Sequence, residues 1–133
     1  MPKRKLFYSK ENIYLCIDEG ISPLANELKA LGYKSFCYEE RVNYRNIHKR
    51  LNKDNVDLFI TQNFKRYAYL PGSKYIVFGL SKKLIENNTM KAIAEAIHCY
   101  LEAQLNYSNR VLGYNIELDS NQFYLRGCRQ VKR

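Results

Sequence analysis

The chain has 133 residues, of which 22 are Lys or Arg and 13 are Asp or Glu, so its net charge is +9. This length predicts a single domain, and a hydrophobic content of 46% is sufficient for one core. The sequence contains neither an apolar run of about 18 residues nor a secretory signal, which excludes a membrane-spanning or secreted class and favours a cytoplasmic location.

Strand and helix patterns alternate along most of the chain. The clearest helix signal is "SPLANELKALG", which Ser22 caps, Pro23 begins and Gly32 ends. Strands are predicted at 12–18, 33–38, 56–62 and 74–80. Helices are predicted at 22–32, 43–54 and 89–106.

The last part of the chain has a different pattern. The segments "RVLGYNIEL" and "QFYLRGCR" flank the turn signal "DSN", which predicts a β-hairpin. We therefore expect one domain over 1–133, with an α/β core at 12–106 and a hairpin with a basic tail at 107–133. The cations of the tail are Arg126, Arg129, Lys132 and Arg133.

Alternating strands and helices predict an α/β fold with a central, mostly parallel sheet of about four strands and helices on both faces. In such sheets, sites lie beyond the carboxyl ends of the strands. Acidic and polar residues stand at three of these ends. They are Asp18 and Glu19 after the first strand, Glu39 and Glu40 after the second, and Thr61, Gln62 and Asn63 after the third.

Several carboxylates at one sheet edge repel one another unless a cation lies between them. Oxygen ligands with room for water suit Mg²⁺ or Mn²⁺. Such a metal can activate a water molecule and hold a phosphate oxygen, as phosphodiester hydrolysis requires. The alternative interpretation is that these acids only cap helices and solvate loops.

Two runs of the sequence carry a family resemblance. "IYLCIDEGISPLANELKALGYKSFCYEE" and "DLFITQNFKRYAYLPGSKYIVFGL" resemble the short PIN-like proteins, a group that is similar to the ribonuclease toxins of toxin–antitoxin pairs. The resemblance covers about 12–80, and a helix after Ser81 also fits. It implies a PIN-like three-layer sandwich, Mg²⁺- or Mn²⁺-dependent cleavage of RNA, and an antitoxin as a possible protein partner.

Residue by residue, the resemblance implies the following roles. Asp18 matches the first metal-binding Asp of the family, and Glu19 matches the acid beside it. Thr61 matches the Thr or Ser at the end of the third strand, and Phe64 the aromatic residue after it.

The chain also departs from the family pattern. Asn63 stands where the family usually has an Asp, and "VNYRNI" replaces the acids that open the second helix in many members. The site would therefore hold one metal weakly, recruit Glu39 or Glu40 as a further ligand, or not cleave.

The cation excess favours a polyanionic partner, because each neutralised phosphate releases counterions. Nucleic acid ranks above a membrane surface, since no strongly basic amphipathic helix with large apolar residues is found. The segment "FKRYAYLPGSKY" alternates cations with tyrosines, a pattern that suits unpaired bases. We expect single-stranded RNA to contact Lys65, Arg66, Tyr67 and Lys74 and the basic tail. The alternative is a loop whose tyrosines pack on the sheet.

The cysteines and histidines predict no further chemistry. The four cysteines are far apart and form no CxxC pair, so we expect reduced thiols and no zinc. His48 is expected at the solvated surface of its helix. His98 is expected at the boundary between the core and solvent.

These patterns predict a PIN-like ribonuclease with a degenerate acidic site. The first alternative is a catalytically impaired module that binds nucleic acid or protein, and a second is a scaffold subunit that docks through the edge of the hairpin. A homodimer is a possible assembly. A phospho-receiver domain is disfavoured, because Thr61 and Asn63 stand where it would need an acceptor Asp.

Overall fold

A five-stranded parallel sheet forms the centre of the fold. The computed structural model describes residues 12–38, 43–102 and 115–119. The strands are β1 (Tyr14–Ile17), β2 (Lys34–Phe36), β3 (Leu58–Thr61), β4 (Ile76–Leu80) and β5 (Ile116–Leu118). The helices are α1 (Pro23–Ala30), α2 (Tyr44–Lys53), α3 (Phe64–Ala68), α4 (Lys82–Asn87) and α5 (Met90–Leu101), and a short 3-10 turn spans Glu19–Ile21.

The strands lie in the order β2-β1-β3-β4-β5, and every neighbouring pair is parallel. The chain moves outward from β1 to β2 and then crosses to the other side of β1 to form β3. The direction of winding therefore reverses between β1 and β3, where Cys16 lies opposite Phe59. In doubly wound sheets of this order, the carboxyl edge at such a reversal is the place where ligands bind.

Helices cover both faces of the sheet, so the fold has three layers. All residues of β3 and β4 are buried, as is typical of parallel strands that are covered on both sides. On one face, α1 and α5 pack against the sheet through residues such as Leu28 and Ile97. On the other face, a separate apolar cluster joins Leu51 of α2 and Tyr67 of α3 to Phe59 of β3.

The α/β class, the parallel sheet and the helices on both faces are confirmed, and the predicted elements in the described range lie at the expected positions. Two details differ. Residues 116–118, predicted as part of a hairpin arm, form a fifth strand parallel to β4. The second arm of the hairpin lies outside the described residues. The helix α3 is absent from the predicted elements, because its five residues are too few to show a helical period.

Within these described ranges, no helix has both the length and the apolar character needed to cross a membrane.

Candidate functional site

Asp18 is held at the carboxyl end of β1 by contacts from two directions. Its backbone N–H donates to the carbonyl oxygen of Ile60 at 2.9 Å, which extends the pairing of β1 with β3 by one residue. Its carboxylate caps the following 3-10 turn, since Oδ1 accepts from the Glu19 N–H at 2.8 Å. The other oxygen, Oδ2, accepts from the Thr61 hydroxyl at 2.6 Å.

Thr61 joins the two strand ends at this point. Its side chain is fully buried, and its hydroxyl donates to Asp18 while accepting from the Asn63 N–H at 2.9 Å. A buried hydroxyl that is paired in both directions has little freedom to rotate. Thr61 therefore fixes the orientation of the Asp18 carboxylate relative to the loop after β3.

The loops after β1 and β3 are also in contact with each other. The Gln62 side chain lies directly over Gly20, so that a Cβ atom at position 20 would overlap with the Gln62 amide. Asn63 is exposed, and its side chain does not cap α3. Asp18, Glu19, Gln62 and Asn63 are therefore brought to one edge of the sheet, as the sequence predicts.

A small cleft opens beside Asp18. Its volume is about 30 Å³, which accommodates about two water molecules. Its walls come from β1, from the end of β2, from α2 and from β3. The lining residues are Ile17, Asp18, Glu19, Cys37, Tyr38, Ile47 and Phe59.

The acids make the surroundings of the cleft electronegative. Burial raises the pKa of the Cys37 thiol, and the negative charges of Asp18 and Glu19 raise it further. Burial, followed by the charge of Asp18, likewise raises the pKa of Tyr67, which packs against the cleft residue Phe59. Burial and the nearby acids therefore both disfavour the ionised forms of Cys37 and Tyr67.

The donor chemistry around Asp18 suits a hydrated Mg²⁺ or Mn²⁺ ion. Each carboxylate oxygen of Asp18 accepts one hydrogen bond and retains a further lone pair. Glu19 and Asn63 are exposed at the same edge of the sheet, and Mg²⁺ commonly binds through one or two carboxylates while keeping several waters. No group of three His, Cys, Asp or Glu side chains suitable for a metal occurs in the described part of the chain. Glu39 and Glu40 lie outside that part.

The predicted RNA contacts divide into two groups. Lys65 and Arg66 on α3 and Lys74 before β4 are exposed. Tyr67 is only 4% exposed, and its ring packs edge-on against Phe59 with 4.8 Å between the centroids. Tyr67 therefore has no open face on which a base could stack.

Tyr75 is buried as well, and the exposed tyrosine of this segment is Tyr69. The tail residues Arg126, Arg129, Lys132 and Arg133 lie outside the described range.

No protein-family model matches the chain, and no curated protein or solved structure shows significant similarity to it. The PIN-like resemblance rests on the sequence motifs alone.

Cys37 and Tyr38 are residues of the cleft that sequence reasoning did not identify as part of the site. Both follow β2, and β2 lies next to β1, so the rule that sites form beyond parallel strand ends could have identified them. Cys37 and Tyr38 are less polar than Glu39 and Glu40, which follow them directly, so an acidic pattern does not include them. In the described ranges, Cys16, Cys37 and Cys99 form no disulfide.

The two histidines take structural roles. His98 is partly buried and forms a hydrogen bond of 2.7 Å with the Tyr33 hydroxyl, which confirms its place at the core boundary. The prediction that His48 is a solvated surface residue is wrong, because it is half-buried and forms a 2.7 Å hydrogen bond with the Tyr75 hydroxyl. This bond joins α2 to the start of β4.

Proposed function

We propose that this protein is a metal-dependent ribonuclease of the PIN-like type that acts on single-stranded RNA. The observation that carries this proposal is the position of the Asp18 carboxylate, which the buried Thr61 hydroxyl holds at the reversal of winding between β1 and β3. A carboxylate fixed at this edge and facing a water-sized cleft is the kind of group that a catalytic metal uses.

Asp18 and Glu19 would hold Mg²⁺ or Mn²⁺, with Asn63 as a neutral oxygen donor. When bound, such an ion lowers the pKa of water and neutralises charge on a phosphate. Thr61 keeps the Asp18 carboxylate oriented, because it donates to Oδ2. Lys65 and Arg66 are exposed on α3, directly after Asn63, and would hold the phosphates of the RNA.

This set of donors carries little negative charge. Asn63 brings no charge, and Asp18 and Glu19 alone leave the metal with few anionic ligands. Glu39 or Glu40, which follow the cleft residue Tyr38 in sequence, would supply the missing carboxylate in the active form of this proposal.

The second candidate function is a nucleic-acid-binding or protein-interaction module without catalysis. It is favoured by the neutral Asn63 and by the finding that no three metal-ligating side chains converge within residues 12–38, 43–102 and 115–119. An antitoxin partner and a homodimer remain predictions under either function.

A cleavage assay separates the two functions. Purified protein is incubated with a fluorescently labelled single-stranded RNA in Mn²⁺, in Mg²⁺ and in EDTA. We expect cleavage with either metal and none in EDTA, and we expect Asp18→Asn to lower the rate more than about 100-fold. Glu86→Gln is the matched control, because it removes one negative charge from an exposed position on α4, on the opposite layer.

Cleavage that continues in EDTA, or that survives Asp18→Asn unchanged, contradicts the assignment of Asp18. The absence of cleavage by the wild type with both metals and several RNAs favours the binding module.

A further inference from the structure

The cation excess of the described residues is concentrated on one layer of the fold. The segment 43–75, which contains α2 and α3, has seven basic residues, all exposed, and two acids, of which Asp57 is buried. The helices of the other layer, with Glu102 at the end of α5, carry four basic and four acidic residues. The basic residues of the first layer are Arg45, Lys49, Arg50, Lys53, Lys65, Arg66 and Lys74.

A row of three aromatic rings lies on the same layer, beside α2. The rings of Tyr14 and Phe36 are stacked, with centroids 4.9 Å apart and planes 26° apart. The rings of Phe36 and Tyr38 meet edge-on at 5.1 Å. Because β2 is an edge strand, this row follows the border of the sheet.

The row is open to solvent at one end. Tyr14 is 36% exposed. In the described ranges, the other exposed large hydrophobic residue is Tyr69. Phe36 and Tyr38 are half-buried. Tyr14 is therefore the ring of the row that a ligand can reach.

The other end of the row reaches the candidate site. Tyr38 lines the cleft together with Asp18 and Glu19. Its hydroxyl donates to the Asp54 carboxylate at 2.7 Å, and the Arg50 guanidinium lies 5.2 Å from its ring centroid. These two residues of the α2 segment fix the Tyr38 ring and place a cation beside it.

We propose that this aromatic row is a platform for single-stranded RNA, with a base stacked on the exposed ring of Tyr14 and phosphates held by Arg50 and its basic neighbours. Aromatic faces beside a basic groove are the combination by which proteins bind unpaired nucleic acids. An acidic protein partner would use the cations but gain little from ring faces that suit bases.

Lys34 of β2 is exposed and lies opposite Tyr14 in the pairing of β1 with β2, and Lys53 is exposed in the last turn of α2. The platform would lead the strand toward the cleft, and this direction rests on the proposed ribonuclease function. Binding on the platform does not depend on that function.

Binding is measured by fluorescence anisotropy with a labelled oligouridine in EDTA, so that no metal chemistry takes part. We expect Tyr14→Leu to weaken binding about tenfold, because Leu keeps only the apolar bulk. Tyr14→Phe should retain binding, because Phe keeps the ring. Tyr69→Leu is the comparison variant, since Tyr69 is 78% exposed at the end of α3, close in sequence to Lys65 and Arg66. It should weaken binding less than Tyr14→Leu does if the bases stack on the aromatic row.

The role of the Arg50 cation is tested through the salt dependence of RNA affinity. Arg50→Ala should flatten the slope of log affinity against log salt by about 0.7 for a single-stranded ligand. Lys83→Ala removes an exposed cation from the opposite layer and should leave this slope unchanged. Thermal melting shows whether each variant is folded. If Tyr14→Leu perturbs the strand, Tyr14→Phe is the variant that is compared with wild type.

Three results would overturn the platform. They are an absence of oligouridine binding at low salt, equal affinities of wild type and Tyr14→Leu, and a loss of binding in Tyr69→Leu instead, which would place the RNA over α3. These outcomes are independent of the ribonuclease proposal, which is tested by cleavage with metal. Binding through Tyr14 without any cleavage would support the platform and contradict the nuclease.

Discussion

The Thr61 hydroxyl donates a hydrogen bond of 2.6 Å to the Asp18 carboxylate, across 43 positions of the chain. The same hydroxyl accepts the Asn63 N–H at 2.9 Å. One buried side chain therefore connects the end of β1, the end of β3 and the first residue before α3. The geometry of the candidate site therefore depends on this connection.

Replacing Thr61 by Val should destabilise the protein by about 2–3 kcal/mol, because the change keeps the shape but removes the hydroxyl. The Asn63 N–H would lose its partner, and the Asp18 carboxylate would lose a charge-assisted hydrogen bond. Chemical denaturation of wild type and variant measures the difference in unfolding free energy. Thr61→Ser is the control, since it keeps the hydroxyl and should cost less than Thr61→Val. A larger loss for Thr61→Ser than for Thr61→Val would mean that the methyl group contributes more than the hydrogen bonds at this position.

Mn²⁺ should raise the melting temperature by a few degrees if Asp18 and Glu19 bind it. A ligand that binds only the native state stabilises it by RT ln(1 + [L]/Kd), which is about 1.4 kcal/mol at ten times Kd. Differential scanning calorimetry with and without Mn²⁺ measures the shift. Asp18→Asn should remove it, and Glu86→Gln should not. If Asp18→Asn instead stabilises the protein and Mn²⁺ has no effect, the acids repel each other and hold no metal.

Gly79→Ala should displace α3. A Cβ atom at Gly79 would lie 2.6 Å from the Cβ of Phe64, well inside normal contact distance. Overpacking of this kind costs about 1–3 kcal/mol, which denaturation measures. Phe64→Gly removes both the obstructing Cβ and the ring, so the double variant should lose less stability than the two single changes together. Strict additivity would mean that the two residues do not contact each other.

Stability should fall as the pH rises above about 9. Burial raises the pKa of Cys16, so its thiol stays protonated in the native state while the unfolded chain loses the proton. The unfolded state then binds fewer protons, and the unfolding free energy decreases by about 1.4 kcal/mol per pH unit for each such group. Cys16→Ala should reduce this slope between pH 9 and 10, and Cys99→Ala serves as its control, since Cys99 is only half-buried. An unchanged slope would show that other groups dominate the alkaline loss.

The strands and the longer helices were predictable because their signals are local. The apolar run before Asp18 and the Ser22, Pro23 and Gly32 signals of α1 appear directly in the sequence. The edge on which Asp18 and Thr61 meet followed from the parallel topology. Contacts that depend on side-chain packing were not predictable.

The burial of Tyr67 against Phe59 and the hydrogen bond between His48 and Tyr75 are of this kind. Tyr67 and His48 both carry polar groups and have basic neighbours in the sequence, so the sequence alone indicates that they are surface residues. The row formed by Tyr14 and Phe36 was not predictable from the sequence either, because its residues come from two strands that only the sheet order brings together.

Asn63 distinguishes an enzyme from a binding module. It is exposed at the end of β3, and its backbone N–H is tied to Thr61, so a carboxylate at this position would stand at the edge that Asp18 occupies. If the protein is an impaired nuclease, Asn63→Asp should tighten Mn²⁺ binding by about tenfold and increase cleavage of a single-stranded RNA, because a charged ligand replaces a neutral one. Calorimetric titration with Mn²⁺ and the cleavage assay measure the two effects.

The same substitution has a different result under each other function. An active enzyme that uses Glu39 or Glu40 should already cleave as wild type, and Asn63→Asp should change its rate little. A binding module should not cleave in either form, and the added negative charge should only weaken RNA binding. Asn63→Gln keeps the neutral amide and is the matched control, so a gain in cleavage that it shares with Asn63→Asp could not be assigned to the charge. No cleavage by wild type or Asn63→Asp, with both metals and several RNAs, would contradict the nuclease proposal in its active and impaired forms alike.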